Sequence, residues 1–289
     1  MARSSVPRKP SRRAESATAL AAKGNAFRAL HHGKSAFIIP NPWDRGTAVL
    51  LAKLGFSALA TTSAGYAFSV GRQDTTIARD EMLAHVAAIA GATRLPVSAD
   101  LENGYGRTPK EAAETYRLAA KAGAVGASIE DATGDAAKPI RDRAAAAERV
   151  RAAAEAVRAL PFEFTLTARA ENYLHGREDL GDTIARLQAY QEAGADVLYA
   201  PGLTKREDIA SVVRSVDRPV NVLMGFRGAT LTLAELSALG VKRVSVGSAL
   251  TRAALGAFLR AAREMREQGT FTFAEEAVSF ADVSAMFGE

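Results

Sequence analysis

Acidic residues lie at the ends of several apolar, strand-like runs of this sequence, and their positions suggest a metal site. Asp100 and Glu102 end one such run, and Glu130 and Asp131 end the next. Residues two apart on an extended strand share a side, so Asp100 and Glu102 face the same way. A hard dication stabilises carboxylates crowded at close range, and the chain has no cysteine for a softer metal. Asp100, Glu102 and Glu130 are therefore predicted to bind Mg²⁺, with Mn²⁺ as the alternative.

Any one of these acids could instead cap a helix or join an ion pair, but three on adjacent strands favour the metal site. Asp131 alternates away from Glu130 along the strand, and we expect it to pair with a basic group. Asp44 follows the first strand-like run, in the sequence Asn-Pro-Trp-Asp. Trp43 and Asp44 are predicted to line a substrate pocket, and packing of Trp43 beneath a loop is the alternative.

Arg169 is the one basic residue at the end of a central predicted strand. Its planar guanidinium fits a substrate carboxylate or phosphonate. A structural ion pair with Glu171 or Asp131 is the alternative for this residue.

A turn of small residues follows the second strand-like run. It spans residues 62–65 and offers hydroxyls and backbone N–H groups, which commonly hold an anion, although the same residues suit a tight turn without a ligand. Asn221 lies in a later strand, and His175 follows the strand that carries Arg169. The predicted substrate-binding residues are Trp43, Asp44, Thr62, Ser63, Ala64, Arg169 and Asn221.

The elements that would position these residues form a repeating pattern. After about residue 35, eight short β-rich apolar runs alternate with helical segments, with no domain-scale linker between them. Four of the helices are followed by glycine, which suits the left-handed position that ends a helix. The predicted strands are residues 36–41, 57–63, 97–101, 126–131, 164–170, 196–201, 219–224 and 243–247.

Strands that alternate with helices pair in parallel, and eight units predict an α/β fold, a closed (β/α)8 TIM-type barrel. A doubly wound open sheet is the alternative. In such barrels the active site lies at the carboxyl ends of the strands, where the polar residues above occur. The predicted helices are residues 45–54, 78–92, 109–122, 142–160, 180–193, 205–216, 233–239 and about 249–267.

The positive charge of the chain is concentrated in its first 28 residues. The whole chain carries +5, and residues 1–28 hold seven basic residues against one acidic, so the remainder is close to neutral. This segment contains two prolines and little that is apolar, which predicts a disordered tail, with a transit peptide as the alternative. No aromatic residue is interleaved with its charges, which argues against nucleic-acid binding. Residues 29–289 are predicted to form a single barrel domain.

Two further features concern the surroundings of the protein. A chain without cysteine is typical of a reducing cytoplasm, and no stretch of 18 apolar residues is free of charge, so no transmembrane helix is predicted. The segment after residue 267 contains Phe271, Phe273, Phe280 and Met286, too many large apolar groups for a free tail. We expect them to pack on a barrel face or on a neighbouring subunit.

Taken in order, these residues resemble the isocitrate lyase/phosphoenolpyruvate mutase superfamily over residues 36–259. The strongest match is residues 96–106, which look like the family's D-x-D-x-G-Y-G metal segment. Residues 126–131 resemble its G-x-x-I-E-D strand, residues 167–169 its arginine strand, and residues 60–74 its anion-binding turn and following loop. The resemblance implies a barrel that acts on 2-oxo acids and makes or breaks a C–C or P–C bond beside the carbonyl.

The resemblance also implies roles for individual residues. Asp100 would bind Mg²⁺ directly, while Glu102 and Glu130 would act largely through bound waters. Arg169 would bind the reacting acid and, with the metal, stabilise its enolate, and Asp74 would lie beside the substrate on a mobile loop; these two are the predicted catalytic residues. The small-residue turn would hold a substrate carboxylate. Family members are usually tetramers in which the last barrel helix swaps between subunits, so a homo-oligomer, tetramer or dimer, is expected.

The chain departs from the family pattern in the loop after the fourth strand. Family lyases carry a catalytic cysteine there in a K-x-C-G-H stretch, whereas residues 131–139 contain neither Cys nor His. Isocitrate or 2-methylisocitrate lyase activity through that acid is therefore not expected. The loop is also shorter than the lid of the mutases and of phosphonopyruvate hydrolase. Glu102 replaces the family's second Asp, which lengthens one arm of the metal shell and keeps its charge.

These observations predict an Mg²⁺-dependent lyase or hydrolase that acts on a small 2-oxo acid or related dicarboxylate through an enolate, by C–C cleavage or decarboxylation. A P–C bond enzyme of the phosphonopyruvate type is one alternative, and a barrel that binds an oxo acid without chemistry is another. The predicted partners are a small-molecule oxo acid and further copies of the chain, with no nucleic acid and no membrane. The predicted location is the cytoplasm.

Overall fold

The computed structural model describes residues 12–288, and eight parallel strands form its centre. The strands follow one another around the sheet in chain order, and the eighth strand pairs with the first. A hydrogen bond from the Ala60 amide to the Pro40 carbonyl (3.0 Å) joins the first strand to the second. The sheet thus curves into a nearly closed barrel, which confirms the predicted fold class. The strands are β1 (Phe37–Ile39), β2 (Leu59–Ala60), β3 (Val97–Asp100), β4 (Gly126–Glu130), β5 (Thr165–Arg169), β6 (Val197–Tyr199), β7 (Val220–Leu223) and β8 (Arg243–Ser245).

Helices follow the strands, and the eight helices predicted from the sequence all occur within two residues of their predicted bounds. Three more helices were not predicted, and they are the first, the third and the last. Among residues 12–288, no helix has the length and apolar character needed to cross a membrane. The helices are α1 (Arg12–His31), α2 (Arg45–Lys53), α3 (Ser63–Ser69), α4 (Arg79–Ala92), α5 (Pro109–Lys121), α6 (Arg143–Arg158), α7 (Leu180–Glu192), α8 (Arg206–Ser215), α9 (Leu233–Ala238), α10 (Ala249–Gln268) and α11 (Phe280–Phe287).

Local sequence signals explain where these helices begin and end. Thr108 caps α5, since its side chain accepts a hydrogen bond from the Glu111 amide and the Glu111 carboxylate accepts one from the Thr108 amide. Pro109 occupies the first turn, where its missing N–H costs nothing. The glycines predicted to follow four helices all adopt positive φ, between 86° and 103°. These glycines are Gly55, Gly123, Gly194 and Gly240.

Strand register brings the polar residues of neighbouring strands to one end of the barrel. Asp100 on β3 lies opposite Ser128 on β4, and Glu130 on β4 lies opposite Arg169 on β5. Because the strands are parallel, their carboxyl ends meet at the same end of the barrel. The intervening residues of β5, such as Leu166 and Ala168, are buried in the main apolar cluster and anchor the strand.

Helix α1 differs from the expectation of a disordered tail that reaches residue 28. Phe27 is fully buried and lies close to β4, where a Cβ added to Gly126 would be 2.6 Å from its ring. His31 is also buried, and its ring stacks edge-on against Phe27 and Phe37. Residues 18–28 are therefore part of the folded molecule, because these apolar contacts outweigh the charged composition of the segment. The first 11 residues of the predicted tail lie outside the described part of the chain.

The last helices leave a large apolar surface uncovered in the single chain. Of the 20 residues of α10, only Thr251 is buried. Phe258 is 66% exposed and Phe280 is 89% exposed. Part of α11 does contact the barrel, since Phe287 lies against Gly46 of α2 and Lys53 donates to the Gly288 carbonyl. The predicted packing on a barrel face thus accounts for one end of this segment and leaves the rest exposed.

Candidate active site

A cavity of about 940 Å³ opens at the carboxyl ends of the strands. Most of the predicted site residues line it, although they come from five different strands and the loops that follow them. The structure does not bring Trp43 or Asp44 to the lining of this cavity. The predicted residues that do line it are Thr62, Ser63, Ala64, Asp74, Asp100, Glu102, Glu130, Arg169 and Asn221.

Arg169 lies at the centre of the charged groups. Its Nη1 atom is 3.2 Å from a carboxylate oxygen of Asp100 and 3.2 Å from one of Glu130, and its Nε donates to Glu171 at 2.9 Å. Its guanidinium carbon also lies 5.2 Å from the centre of the Tyr199 ring, a cation–π contact. Burial alone would lower the pKa of Arg169, but the three carboxylates raise it well above the ordinary value. The group is therefore a fixed positive charge at the cavity wall.

Asp100 lies between Arg169 and the start of α3. Its second carboxylate oxygen accepts a hydrogen bond from the Ser63 amide at 3.0 Å, and its own amide donates to the Thr61 hydroxyl at 2.8 Å. The Ser128 hydroxyl lies 3.4 Å from the other carboxylate oxygen. The carboxylate is thus held in one orientation by contacts from three neighbouring strands.

The small-residue turn predicted after β2 is the first turn of α3. Thr62 is its N-cap residue and its hydroxyl accepts from the Gly65 amide at 3.1 Å, so that oxygen is engaged within the helix. The backbone amide of Ser63 points towards the Asp100 carboxylate. A Cβ at Gly65 would be 2.5 Å from the Thr62 side chain, which explains why glycine is needed at this close approach. Free N–H groups at the start of a helix suit a carboxylate, in agreement with the anion-binding prediction.

Glu102 lies in the loop after β3, with its backbone at φ 49°. Its carboxylate accepts a hydrogen bond from the Tyr105 hydroxyl at 2.9 Å, and its carbonyl accepts from the Glu130 amide at 3.1 Å. Burial, and then the charge of Asp100, raise the pKa of Glu102 to about 7. Burial likewise raises the pKa of Glu130 well above its ordinary value, against the opposing effect of Arg169.

These carboxylates fit a hard metal ion, although they do not form a ready-made set of direct ligands. Within residues 12–288, no three His, Cys, Asp or Glu side chains are already gathered closely enough to hold a metal. Burial nevertheless leaves Glu102 and Glu130 in an environment that disfavours their own negative charge. A dication bound to Asp100, with water between it and the two glutamates, relieves that cost and needs only oxygen ligands.

Asp74 lies at the edge of the cavity, in the loop between α3 and α4. Its carboxylate accepts a hydrogen bond from the Thr75 amide at 3.0 Å, and Thr75 adopts φ 65°, an uncommon conformation for a residue with a side chain. Partial loss of solvent, followed by the charge of Asp100, raises the pKa of Asp74. The structure therefore brings Asp74 near the charged cluster, as the resemblance implied.

Two predicted substrate contacts have other roles in the structure. Asp44 is exposed and caps α2, since its carboxylate accepts from the Thr47 amide at 2.7 Å. Trp43 is half-buried beside it, and its backbone amide donates to the Thr47 hydroxyl. An acid after a strand and before a helix serves naturally as an N-cap, and this geometry outweighs the interpretation of Asp44 as a substrate contact.

Asn221 lines the cavity and is fully engaged by its neighbours. Its oxygen accepts from Nε of Arg243 at 2.9 Å, and its amide donates to the Ser245 hydroxyl at 2.9 Å. Asp131 pairs with Arg186 at 3.1 Å and accepts from the Tyr190 hydroxyl at 2.6 Å, which confirms that it turns away to a basic partner.

Sequence reasoning missed Tyr199 and Arg243, and it considered Glu171 only as an ion-pair partner. All three line the cavity. Tyr199 is the last residue of β6, and a polar aromatic at the end of a barrel strand is the signal that could have identified it. Arg243 begins β8, far from the strand end, and nothing in its sequence position points to the cavity.

The loop after β4 is short and closed on itself. Ala132 and Ile140 form an antiparallel bridge, and the Thr133 hydroxyl donates to the Lys138 carbonyl at 2.6 Å. Lys138 is turned outward and pairs with Asp142 at 3.0 Å. His175, from the loop after β5, lines the cavity near this loop. The cavity is therefore bordered by a compact turn, in keeping with the absence of a long lid.

Comparison with known proteins gives consistent matches over the barrel. The family model described as phosphoenolpyruvate phosphomutase matches residues 27–266. A crystal structure from Burkholderia cenocepacia J2315, assigned provisionally as a lyase/mutase, is 65% identical, covers 94% of this chain and 98% of its own, and has a TM-score of 0.92. The 2-methylisocitrate lyase of Escherichia coli strain K12 is 29% identical over 86% of each chain.

A crystal structure of 2,3-dimethylmalate lyase, described as a member of the PEP mutase/isocitrate lyase superfamily, is 26% identical. It covers 93% of this chain and 94% of its own, with a TM-score of 0.81. These matches agree with the resemblance carried by the metal segment and the arginine strand. The chain therefore belongs to the phosphoenolpyruvate phosphomutase family, within the isocitrate lyase/PEP mutase superfamily.

Proposed function

We propose that this protein is an Mg²⁺-dependent lyase or hydrolase that acts on a small 2-oxo acid or related dicarboxylate through an enolate. The observation that carries the proposal is the position of Arg169, which contacts Asp100, Glu130 and Glu171 at the cavity wall. A fixed cation beside a carboxylate cluster supports binding of an anionic substrate next to a metal. Mn²⁺ is the alternative metal.

Each group has a distinct part in the proposed chemistry. The metal, bound through Asp100, would polarise the substrate carbonyl and lower the energy of the enolate. Glu102 and Glu130 would hold waters around it. The guanidinium of Arg169 would orient the substrate and stabilise negative charge as it develops on oxygen. The amides of Ser63 and Ala64 at the start of α3 would hold a substrate carboxylate.

Asp74 is proposed as the group that handles a proton at the cavity edge. Its raised pKa favours the protonated form more than in an ordinary aspartate, which suits a proton donor. It stands near Ser63, whose side chain hydrogen-bonds to it. The lyase cysteine is missing from the loop after β4, so Asp74 is the candidate acid or base that the resemblance leaves.

C–C cleavage or decarboxylation is favoured over P–C chemistry. The compact turn at residues 132–140 lacks the length of a mutase lid, and Lys138 on it faces Asp142 on the outer side. The curated relatives compared above are named as lyases of 2-methylisocitrate and 2,3-dimethylmalate, both of which are cleaved at C–C bonds. The phosphonopyruvate-type reaction and the non-catalytic oxo-acid-binding barrel remain the alternative outcomes of the assay.

We also infer a homo-oligomer, a tetramer or a dimer, in which α10 packs on a neighbouring copy. A helix of 20 residues with one buried side chain has too few contacts to its own barrel to hold its apolar side chains out of water. Leu255, Phe258 and Leu259 share one face at helical spacing and are all exposed. The cytoplasmic location and the small-molecule oxo-acid partner are likewise proposals.

The test is a panel of 2-oxo acids, 2-hydroxy di- and tricarboxylates and phosphonates, assayed with Mg²⁺ for release of pyruvate, CO₂ or phosphate. Pyruvate or CO₂ release that is abolished by a chelator and by Arg169→Met supports the proposal. Phosphate release from a phosphonate alone would favour the P–C alternative. Binding of oxalate or pyruvate without turnover of any compound would favour the non-catalytic barrel.

A further inference from the structure

The loop between β3 and α5, residues 101–108, has an unusual backbone. Glu102 and Tyr105 adopt φ 49° and 59°, and Gly104 adopts φ 87°. Residues with a side chain rarely occupy this left-handed region, because the Cβ crowds the neighbouring carbonyl. Such conformations persist only where the surroundings hold them, and they concentrate at functional sites. The loop therefore requires something that fixes its backbone.

A buried arginine from α6 supplies that restraint. Arg149 is 3% exposed, and one of its terminal nitrogens donates to the carbonyls of Asn103 (2.6 Å) and Gly106 (2.8 Å). The other terminal nitrogen donates to the Arg107 carbonyl at 3.3 Å. No carboxylate within residues 12–288 forms an ion pair with Arg149 at 4.0 Å or less. A guanidinium buried among backbone carbonyls acts as a clamp on the loop rather than as half of an ion pair.

Close packing prevents the loop from taking another course. A Cβ at Gly106 would be 2.5 Å from the Ala112 amide nitrogen, and the Thr115 hydroxyl donates to the Gly104 carbonyl at 2.8 Å. The carbonyls that Arg149 binds flank Gly104 and Tyr105 on both sides. Removal of the guanidinium would therefore leave three buried carbonyls without that donor at the point where the backbone is most strained.

The clamped segment connects directly to the carboxylates of the candidate metal site. The Tyr105 hydroxyl donates to the Glu102 carboxylate at 2.9 Å. The Glu102 carbonyl accepts from the Glu130 amide at 3.1 Å, which couples this loop to β4. A shift in the backbone at residues 103–107 thus moves the side chain of Glu102 and loosens its link to Glu130.

We propose that Arg149 is a positioning residue for the divalent-cation site, which acts by fixing the backbone that orients Glu102 and Tyr105. This inference rests on the proposed function, since it assumes that Glu102 helps to hold the metal's waters. A residue with only a structural role would stabilise the fold without changing the affinity for the cation. Loss of groups that orient metal-binding residues typically reduces affinity about 10- to 100-fold.

Mn²⁺ binding to the full-length protein, measured by calorimetry and by the electron paramagnetic resonance signal of the bound ion, tests the proposal. We compare Arg149→Met, Arg149→Lys and the control Arg158→Met. Arg158 lies on the same helix and also donates to backbone carbonyls, those of Phe164 and Gly194, away from the cavity. The expected dissociation constant rises about 10- to 100-fold in Arg149→Met and stays within about twofold of wild type in Arg158→Met.

Arg149→Lys keeps the charge but not the forked donor geometry, and we expect an intermediate loss of about 3- to 10-fold with an altered resonance signal. This variant carries the test if Arg149→Met does not fold. Wild-type affinity in either folded Arg149 variant overturns the inference and leaves the proposed function standing. An equal loss in Arg158→Met also overturns it, because the effect would then be general destabilisation. Wild-type protein that binds no Mn²⁺ overturns both.

Discussion

Replacement of Arg169 by methionine removes the guanidinium that Asp100, Glu130 and Glu171 share. The side chains of all three acids are less than one-fifth exposed, so water screens their mutual repulsion poorly. Removal of one partner from a buried ion pair typically costs about 3–5 kcal/mol of unfolding free energy. We expect Arg169→Met to lose about that much at a pH near 8, where the unfolded carboxylates are ionised.

The same loss should shrink as the pH falls. Burial already raises the pKa of Glu130 and Glu171, and loss of the neighbouring cation raises both further. A carboxyl group whose pKa is higher in the folded state destabilises the fold only above its unfolded pKa, about 4.3 for glutamate, and increasingly up to its folded pKa. Protonation at a pH of about 5.5 therefore relieves the repulsion, and we expect roughly half of the loss or less to remain there.

Urea unfolding, followed by the fluorescence of Trp43 at a fixed protein concentration, measures both quantities. Trp43 is the single tryptophan of the chain and needs no added label. Arg206→Met serves as the control, because Arg206 forms an exposed ion pair with Glu235 and should lose less than about 1 kcal/mol at either pH. A loss below about 1 kcal/mol in Arg169→Met, or one that is independent of pH, would refute the electrostatic account of the site.

Three further predictions follow from individual contacts. Asp44→Ala should destabilise the protein by about 1 kcal/mol through loss of the cap on α2 and leave KM unchanged, whereas a large rise in KM would return Asp44 to the substrate site. Because burial raises the pKa of Glu102 to about 7, Mg²⁺ affinity measured by calorimetry should increase as the pH rises through that value; a flat profile contradicts this. Phe258→Glu should reduce the molar mass measured by light scattering, and an unchanged oligomer would disprove the role of α10 in assembly.

The barrel could be predicted because its signals are local and repeated. Each strand is a short apolar run and each helix has its own stop or start, such as Thr108 and Pro109 before α5 and Gly123 after it. The strand-end rule then placed Asp100, Glu130 and Arg169 on one cavity before any coordinates were considered. Alternation along β4 also predicted that Asp131 would turn away from Glu130 to a basic partner, which is Arg186.

The misjudged residues depend on contacts that the sequence does not display. Helix α1 has a highly charged sequence, and only the burial of Phe27 against β4 shows that it is part of the fold. Asp44 looks the same in sequence whether it binds a ligand or caps a helix, and the bond from the Thr47 amide decides between the two. The contact between Tyr199 and Arg169 spans 30 residues and depends on strand register, which periodicity alone does not give.

The central claim is that this site forms an enolate with the help of a metal at Asp100. Exchange of deuterium from solvent into C3 of pyruvate, followed by NMR with Mg²⁺ present, tests it most directly. The account predicts exchange by the wild-type protein that a chelator abolishes and that Asp100→Ala loses. No exchange by the purified protein, or equal exchange by Asp100→Ala, would contradict it.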